Sequence, residues 1–181
     1  MKYVLIGCGR IAVNHIKAVI NNQLELAAVC DVKPEAMETL LAKYGLEKDP
    51  SIHRYTDYKE MVDAEQPQLA AIATESGLHA QIALYCIQHG VNVIIEKPMA
   101  MSMADAEEII RCSDAKGVKV AACHQNRFNV AVQQMRKALE AGAVCIVTER
   151  PLGLPGEVQV ASGRKAYAQL CQNFFGRPAE K

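Results

Sequence analysis

A glycine-rich turn near the amino terminus could bind a diphosphate. Residues 1–12 read MKYVLIGCGRIA, so a short apolar run leads into Gly7, Gly9 and Ala12. Gly7 permits a tight turn, Gly9 lets a diphosphate approach the backbone because it has no Cβ, and Ala12 lets the following helix pack close to the strand. The free N–H groups at the start of that helix favour an anion. The segment predicts a dinucleotide site at Gly7, Gly9, Arg10 and Ile11; the alternative is an ordinary turn that binds nothing.

An acidic residue ends the second apolar run, as the same chemistry requires. Asp31 follows residues 24–30 and could accept hydrogen bonds from the adenosine ribose hydroxyls. Its charge would repel a 2′-phosphate, so we expect NAD as the cofactor, with NADP disfavoured, although Lys33 would offset part of that repulsion. The alternative is that Asp31 only caps the helix that begins at Pro34.

Alternating strands and helices must position these residues. The strands are continuous apolar runs, which is typical of a parallel sheet covered by helices on both faces. We predict an α/β fold, a doubly wound parallel sheet of the Rossmann type in the order 3-2-1-4-5-6. The predicted strands are 2–7, 24–30, 53–55, 69–73, 91–95 and 118–123. The predicted helices are 11–20, 34–44, 58–64, 78–89, 102–116 and 130–140.

Three later polar segments each follow a predicted strand. They read TESGLH at 74–79, EKPMA at 96–100 and HQNRFN at 124–129. All three therefore lie at the carboxyl edge of the sheet, where open α/β sheets bind ligands. Together with the glycine turn, they resemble the Gfo/Idh/MocA family of oxidoreductases over residues 1–142. The sequences of these segments are most similar to those of the branch that oxidises UDP-N-acetyl-aminoglucuronic acids at the 3-hydroxyl.

The resemblance implies an NAD-dependent dehydrogenase that acts on a sugar or nucleotide-sugar hydroxyl. Lys97 matches the family lysine that contacts the substrate hydroxyl and assists removal of its proton; the alternative is a solvated surface charge. Glu96 is expected to face the cofactor or backbone groups and to orient the loop. The other implied cofactor residues are Thr74, Ser76, His79, Gln125 and Lys97 itself, of which His79 could instead only cap its helix. The implied substrate residues are Lys97, His124, Asn126 and Arg127, where Arg127 would bind an anionic group, unless His124 and Arg127 are structural contacts.

The sequence departs from the family pattern after Gly142. The family continues into a larger α/β domain that supplies an Asp and a His to the proton relay, whereas here no Asp follows Asp114 and no His follows His124. We expect a Rossmann domain at 1–125, a linking helix at 126–142 and a divergent remnant at 143–181, with the second α/β domain truncated and activity impaired. We favour a shifted reading frame near codon 143; the alternative is a natural short variant.

Composition limits the other classes of function. The 181 residues are 50% hydrophobic, with a formal net charge of zero. The sequence has no basic stripe for nucleic acid, no apolar run that could cross a membrane and no signal peptide. The seven cysteines form no C-x-x-C pair, so we predict no metal site and expect a cytoplasmic protein. We expect a homo-oligomer; the alternatives to an enzyme are a binding module without turnover and a subunit whose substrate wall comes from another chain.

Overall fold

The computed structural model describes residues 1–143, 145–151 and 157–174. It divides into two compact units, Met1–His124 and Gln125–Lys181, and each is described by itself. The first unit ends one residue before the predicted domain boundary. Within the described ranges, no helix is both long and apolar enough to span a bilayer.

Six parallel strands form the sheet of the first unit, in the order β3-β2-β1-β4-β5-β6. This order confirms the predicted doubly wound sheet, and it reverses direction between β1 and β4. The strands are β1 Lys2–Ile6, β2 Glu25–Cys30, β3 His53–Tyr55, β4 Leu69–Ile72, β5 Asn92–Ile95 and β6 Val120–Ala122. The helices are α1 Ala12–Asn21, α2 Pro34–Ala42, α3 Tyr58–Glu65, α4 His79–Gln88 and α5 Met103–Lys116.

Apolar strands bury both faces of this sheet. Side chains alternate along β1, so Val4 and Ile6 pack against helices α3, α4 and α5, whereas Leu5 packs against α1 and α2. All three of these side chains are buried. A strand that is apolar at every position therefore needs helices on both faces, which explains why the continuous apolar runs indicated this fold.

Local signals set the ends of several helices. The Ser102 hydroxyl caps α5 by accepting a hydrogen bond from the Asp105 N–H at 3.1 Å. Gly117 ends the same helix with φ +66, a left-handed conformation that glycine adopts without strain. Asp57 caps α3 by accepting from the Lys59 N–H at 2.7 Å.

The described residues of the second unit form two α-helices and a pair of short strands. These are α6 Val130–Glu140, β7 Ile146–Thr148, β8 Glu157–Gln159 and α7 Gly163–Phe174, with β7 and β8 parallel. Helix α6 has the predicted bounds, and Asn129 caps it by accepting from the Ala131 N–H at 2.9 Å. The beginning of the tail, where the family pattern is lost, includes Val144, which lies outside the described residues.

Candidate functional site

The glycine turn joins β1 to α1 at the point where the strand order reverses. Gly7 has φ +92, and its N–H donates to the carbonyl of Cys30 at 2.8 Å. A Cβ at Gly7 would lie 2.6 Å from the carbonyl carbon and oxygen of Ala73, so no side chain fits there. A Cβ at Gly9 would meet nothing within 4 Å. The fold therefore requires glycine at position 7, whereas the open space beside Gly9 leaves room for a ligand.

The start of helix α1 lacks a side-chain cap. Ile11 precedes the helix and makes no capping hydrogen bond, and the first turn contains no acidic residue. Ala12 is fully buried, as its predicted packing role requires, while Arg10 is exposed. An uncapped helix start presents N–H groups and a partial positive charge, which suits a diphosphate.

Asp31 connects the end of β2 to the glycine turn. Its Oδ2 accepts from the N–H of Cys8 at 2.8 Å, and its Oδ1 accepts from the N–H of Lys33 at 2.9 Å. Lys33, not Asp31, is the residue before helix α2, and Lys33 makes no side-chain cap. Asp31 therefore does not occupy the capping position itself, but its carboxylate holds the N–H of the residue that does. Each carboxylate oxygen can accept a second hydrogen bond, so both remain able to bind ribose hydroxyls.

A cavity of about 210 Å³ adjoins the glycine turn and Asp31. Gly7, Gly9, Asp31 and Thr74 line it, as the sequence analysis expected of cofactor residues. Nine further lining residues were not among the expected cofactor residues, and these include Val32, Thr56, Tyr58, Leu78 and Ile82. Thr56 directly follows β3 and Val32 lies two residues after the end of β2, and this position at the carboxyl edge is the signal that could have identified them.

His79 contacts both the loop that follows β4 and the loop that follows β5. It is 1% exposed; its Nδ1 lies 2.7 Å from the carbonyl oxygen of Pro98 and its Nε2 lies 3.1 Å from that of Thr74. Ser76 begins the short 3-10 turn Ser76–Leu78 in the loop that follows β4. His79 is the first residue of α4, and the capping position before it, Leu78, makes no side-chain cap. The buried ring therefore acts on the backbone of the two loops.

Lys97 and Glu96 point to different environments. Lys97 is exposed, whereas Glu96 is 8% exposed and its Oε1 lies 3.1 Å from Nε2 of His15 on α1. The Glu96 N–H donates to the carbonyl of Ile72 at 2.9 Å, and the Lys97–Pro98 peptide bond is cis. We expected Glu96 to face the cofactor or backbone groups; its carboxylate instead contacts a histidine, because the side chain turns inward under the loop.

His15 joins a buried polar cluster that the sequence analysis did not identify. Its Nδ1 lies 3.3 Å from the Tyr3 hydroxyl. One imidazole nitrogen of His15, one carboxylate oxygen of Glu96 and the Cys123 sulfur all lie within 4.8 Å of one another. Burial, together with the charge of Glu96 and a hydrogen bond to it, raises the pKa of the Cys123 thiol to about 11. Burial likewise raises the pKa of Tyr3. Both groups therefore carry their protons at neutral pH.

The last predicted segment is divided between the two units. His124 follows β6, is exposed and donates its N–H to the carbonyl of Ala122 at 3.0 Å. Gln125, Asn126 and Arg127 lie in the 3-10 turn that begins the second unit, and all three are exposed. The structure thus brings together the loops after β1, β4 and β5, while these three residues belong to the other compact unit.

Comparison with known proteins identifies the family. The model of the Gfo/Idh/MocA oxidoreductase family, described as an NAD-binding Rossmann fold, matches residues 1–124. The chain belongs to the Gfo/Idh/MocA oxidoreductase family. The predicted resemblance, the Rossmann fold and NAD as the cofactor of this domain are confirmed.

Relatives of this Gfo/Idh/MocA chain include sugar dehydrogenases. D-apiose dehydrogenase of Paraburkholderia graminis is 31% identical over 144 residues, which cover 79% of this chain and 37% of that protein. D-glucoside 3-dehydrogenase of Escherichia coli is 29% identical over 164 residues, covering 86% of this chain and 45% of the relative. The WlbA dehydrogenase of Bordetella pertussis, solved with NADH and UDP-GlcNAcA, is 33% identical with a TM-score of 0.71, covering 79% of this chain and 42% of that structure. The chain thus spans about two fifths of the length of these relatives.

Proposed function

We propose that this chain is the dinucleotide-binding half of an NAD-dependent dehydrogenase that oxidises a sugar or nucleotide-sugar hydroxyl. One observation carries the proposal: the buried His79 ring lies within hydrogen-bond distance of two backbone carbonyls. One belongs to Thr74, which lines the cavity beside the glycine turn, and the other to Pro98 in the loop that presents Lys97. A diphosphate held at the glycine turn would place the rest of the dinucleotide along this edge of the sheet.

The chain's own residues divide the work of binding. The uncapped start of α1 would hold the diphosphate, with Gly9 leaving room for its approach. Asp31 would accept hydrogen bonds from the adenosine ribose, and the apolar side chains of Val32 and Leu78 would cover the adenine. A 2′-phosphate would place negative charge beside the Asp31 carboxylate, which favours NAD over NADP.

Lys97 is the residue that would hold or move a proton. Its Nζ would donate a hydrogen bond to the substrate oxygen or, as the free amine, accept the hydroxyl proton. Bound NAD would accept the hydride that leaves the carbon bearing that hydroxyl. Because Lys97 is exposed whereas Glu96 beside it is buried, the lysine is free to meet a substrate while its backbone stays anchored.

An acidic nucleotide sugar is the substrate class that we propose. The WlbA structure was solved with UDP-GlcNAcA, and the exposed guanidinium of Arg127 could pair with a carboxylate of this kind. We assign His124 and Asn126 to the same substrate region, Gln125 and Ser76 to the cofactor, and the oxidised position to the sugar 3-hydroxyl. We also propose that the protein works as a homo-oligomer in the cytoplasm.

Titration and turnover test this function together. NADH fluorescence should rise on binding, and NAD should be reduced when a UDP-sugar uronate is added. Lys97→Met should leave NADH affinity within about twofold of the wild type while abolishing turnover, because it removes the proton acceptor and keeps the length of the side chain. No NADH binding by the wild type would overturn the proposal.

A second candidate is a dinucleotide-binding module without turnover. The glycine turn, Asp31 and the adjoining cavity all lie within Met1–His124, so this unit alone holds the residues that we propose for the dinucleotide. NADH binding with no turnover by a homogeneous preparation would favour this module. Turnover that appears only after a second chain is added would indicate a shared substrate wall instead.

A further inference from the structure

A chain of buried polar side chains runs beneath the loop that carries Lys97. The Tyr3 hydroxyl lies 3.3 Å from Nδ1 of His15, and Nε2 of His15 lies 3.1 Å from Oε1 of Glu96. These three residues are 2%, 7% and 8% exposed, in that order. Cys123 reaches the same carboxylate with its thiol. The cluster thus joins β1, α1 and the loops after β5 and β6.

One assignment of protons satisfies every member of this cluster. The protonated Tyr3 hydroxyl donates to Nδ1 of His15, so the neutral imidazole carries its proton on Nε2 and donates it to Glu96. The Cys123 thiol, whose pKa is raised to about 11, donates to the same carboxylate. A buried carboxylate needs such donors because leaving it unpaired is costly. His15 is therefore a donor that Glu96 depends on.

The position of His15 gives this hydrogen bond a consequence for the site. His15 lies on α1 three residues after Ala12, one turn from the helix start that would receive the diphosphate. Glu96 is the residue directly before Lys97. We propose that His15 is a positioning residue that couples the dinucleotide-binding helix to the Lys97 loop, so that occupation of the dinucleotide site changes the surroundings of Lys97. This inference rests on the proposed function for the identity of the ligand.

Two substitutions at His15 separate the hydrogen bond from the bulk of the side chain. His15→Gln can place an N–H donor near the position of Nε2, whereas His15→Phe keeps a ring and removes the donor. His89→Phe is the matched control, because this exposed histidine at the end of α4 contacts Asp63 and the carbonyl of Tyr85. Thermal unfolding identifies the variants that fold.

Two measurements report on the coupling. NADH titration gives the dissociation constant, and NMR of the protein with ¹³C-methylated lysines reports the surroundings of Lys97, whose signal Lys97→Arg assigns. We expect the wild type and His89→Phe to shift the Lys97 signal on NADH binding. His15→Phe should weaken NADH binding about three- to tenfold and lose most of that shift at saturation, while His15→Gln should retain both within about twofold.

The outcomes separate this inference from the proposed function. A wild type that does not bind NADH defeats the proposed function; the unliganded Lys97 signal then decides the coupling, which requires His15→Gln to match the wild type and His15→Phe to differ. A full NADH-induced shift in His15→Phe overturns the coupling alone. If His15→Phe does not fold, Tyr3→Phe takes its place, because it removes only the hydroxyl that fixes the imidazole tautomer, and a partial loss of the shift is expected.

A metal ion is the competing use of the same side chains. His15, Glu96 and Cys123 offer one nitrogen, one oxygen and one sulfur within 4.8 Å of one another, a donor set that zinc accepts. If zinc stabilises the wild type against heat and not Cys123→Ser, the cluster is a metal site and the coupling proposal is overturned. We expect zinc to change neither melting temperature, because the members of the cluster already bond to one another.

Discussion

Alanine at the two glycines of the turn should separate folding from binding. Gly7→Ala places a methyl group 2.6 Å from the Ala73 carbonyl at a backbone φ of +92, whereas Gly9→Ala places one in open space. Gly45→Ala is the matched control, because Gly45 has φ +69 but nothing within 4 Å of its Cβ position. Gly7→Ala thus adds both backbone strain and a steric clash, Gly9→Ala adds neither, and Gly45→Ala adds backbone strain alone.

The expected sizes follow from these geometries. A left-handed backbone costs alanine roughly 1–2 kcal/mol, and forcing a methyl group against fixed backbone costs about 1–3 kcal/mol. Gly7→Ala should therefore lose about 3 kcal/mol of stability and melt roughly 10 °C lower. Gly45→Ala should lose about 1 kcal/mol. Gly9→Ala should stay within about 0.5 kcal/mol of the wild type.

Gly9→Ala should lose NADH affinity although it keeps its stability. Its new methyl group would occupy the space through which the diphosphate approaches, so NADH affinity should fall at least about tenfold, or about 1.4 kcal/mol. Thermal unfolding without ligand and NADH fluorescence titration measure the two effects on the same samples. Wild-type NADH affinity in Gly9→Ala would refute the assignment of the diphosphate to this turn, and a loss of stability in Gly9→Ala equal to that in Gly7→Ala would refute the steric argument.

Three further substitutions test other parts of the same unit. Asp31→Asn keeps the acceptor for the Cys8 N–H but removes the charge, so NADPH affinity relative to NADH should rise about tenfold in paired titrations. Burial alone would raise the pKa of Glu65, but hydrogen bonds from Lys2, His53 and Tyr55 lower it from 4.5 to about 2. Its stabilising contribution is therefore complete above pH 4.5 and lost as pH falls toward 2, and urea unfolding of Glu65→Gln should lack this dependence in that window. Ser102→Ala should lower the urea midpoint by the equivalent of about 1 kcal/mol, because it removes the cap of α5.

Most of the sheet could be predicted from the sequence because five of its strands carry their own signal. Apolar runs identified these five, whereas β3 reads HRY and has no such run; the crossover rule then left the order that the structure shows. The ends were less certain: β6 is Val120–Ala122 within the predicted 118–123, since pairing with β5 and not hydrophobicity determines where a strand stops. Gly7 and Asp31 were found because their roles depend on neighbours in a short motif.

The contact between His15 and Glu96 could not be predicted in the same way. His15 and Glu96 are 81 residues apart, so no local pattern relates them, and a single histidine on an amphipathic helix gives no sign of its partner. Their contact follows from the strand order, which places the loop after β5 near the helix that follows β1. The same reasoning explains why the Glu96 side chain is buried, because its carboxylate lies within hydrogen-bond distance of His15 on α1.

Anchoring of the lysine loop from two sides explains how an exposed lysine can be held in place. Glu96 is fixed by His15 from one helix, and the carbonyl of Pro98 lies 2.7 Å from His79 of another, so both neighbours of Lys97 are held while its own side chain stays free. An exposed side chain gains little from its own contacts, and its position must come from the backbone that carries it. Under the proposed function, the position of the lysine that would transfer the proton depends on these two buried imidazoles, His15 and His79.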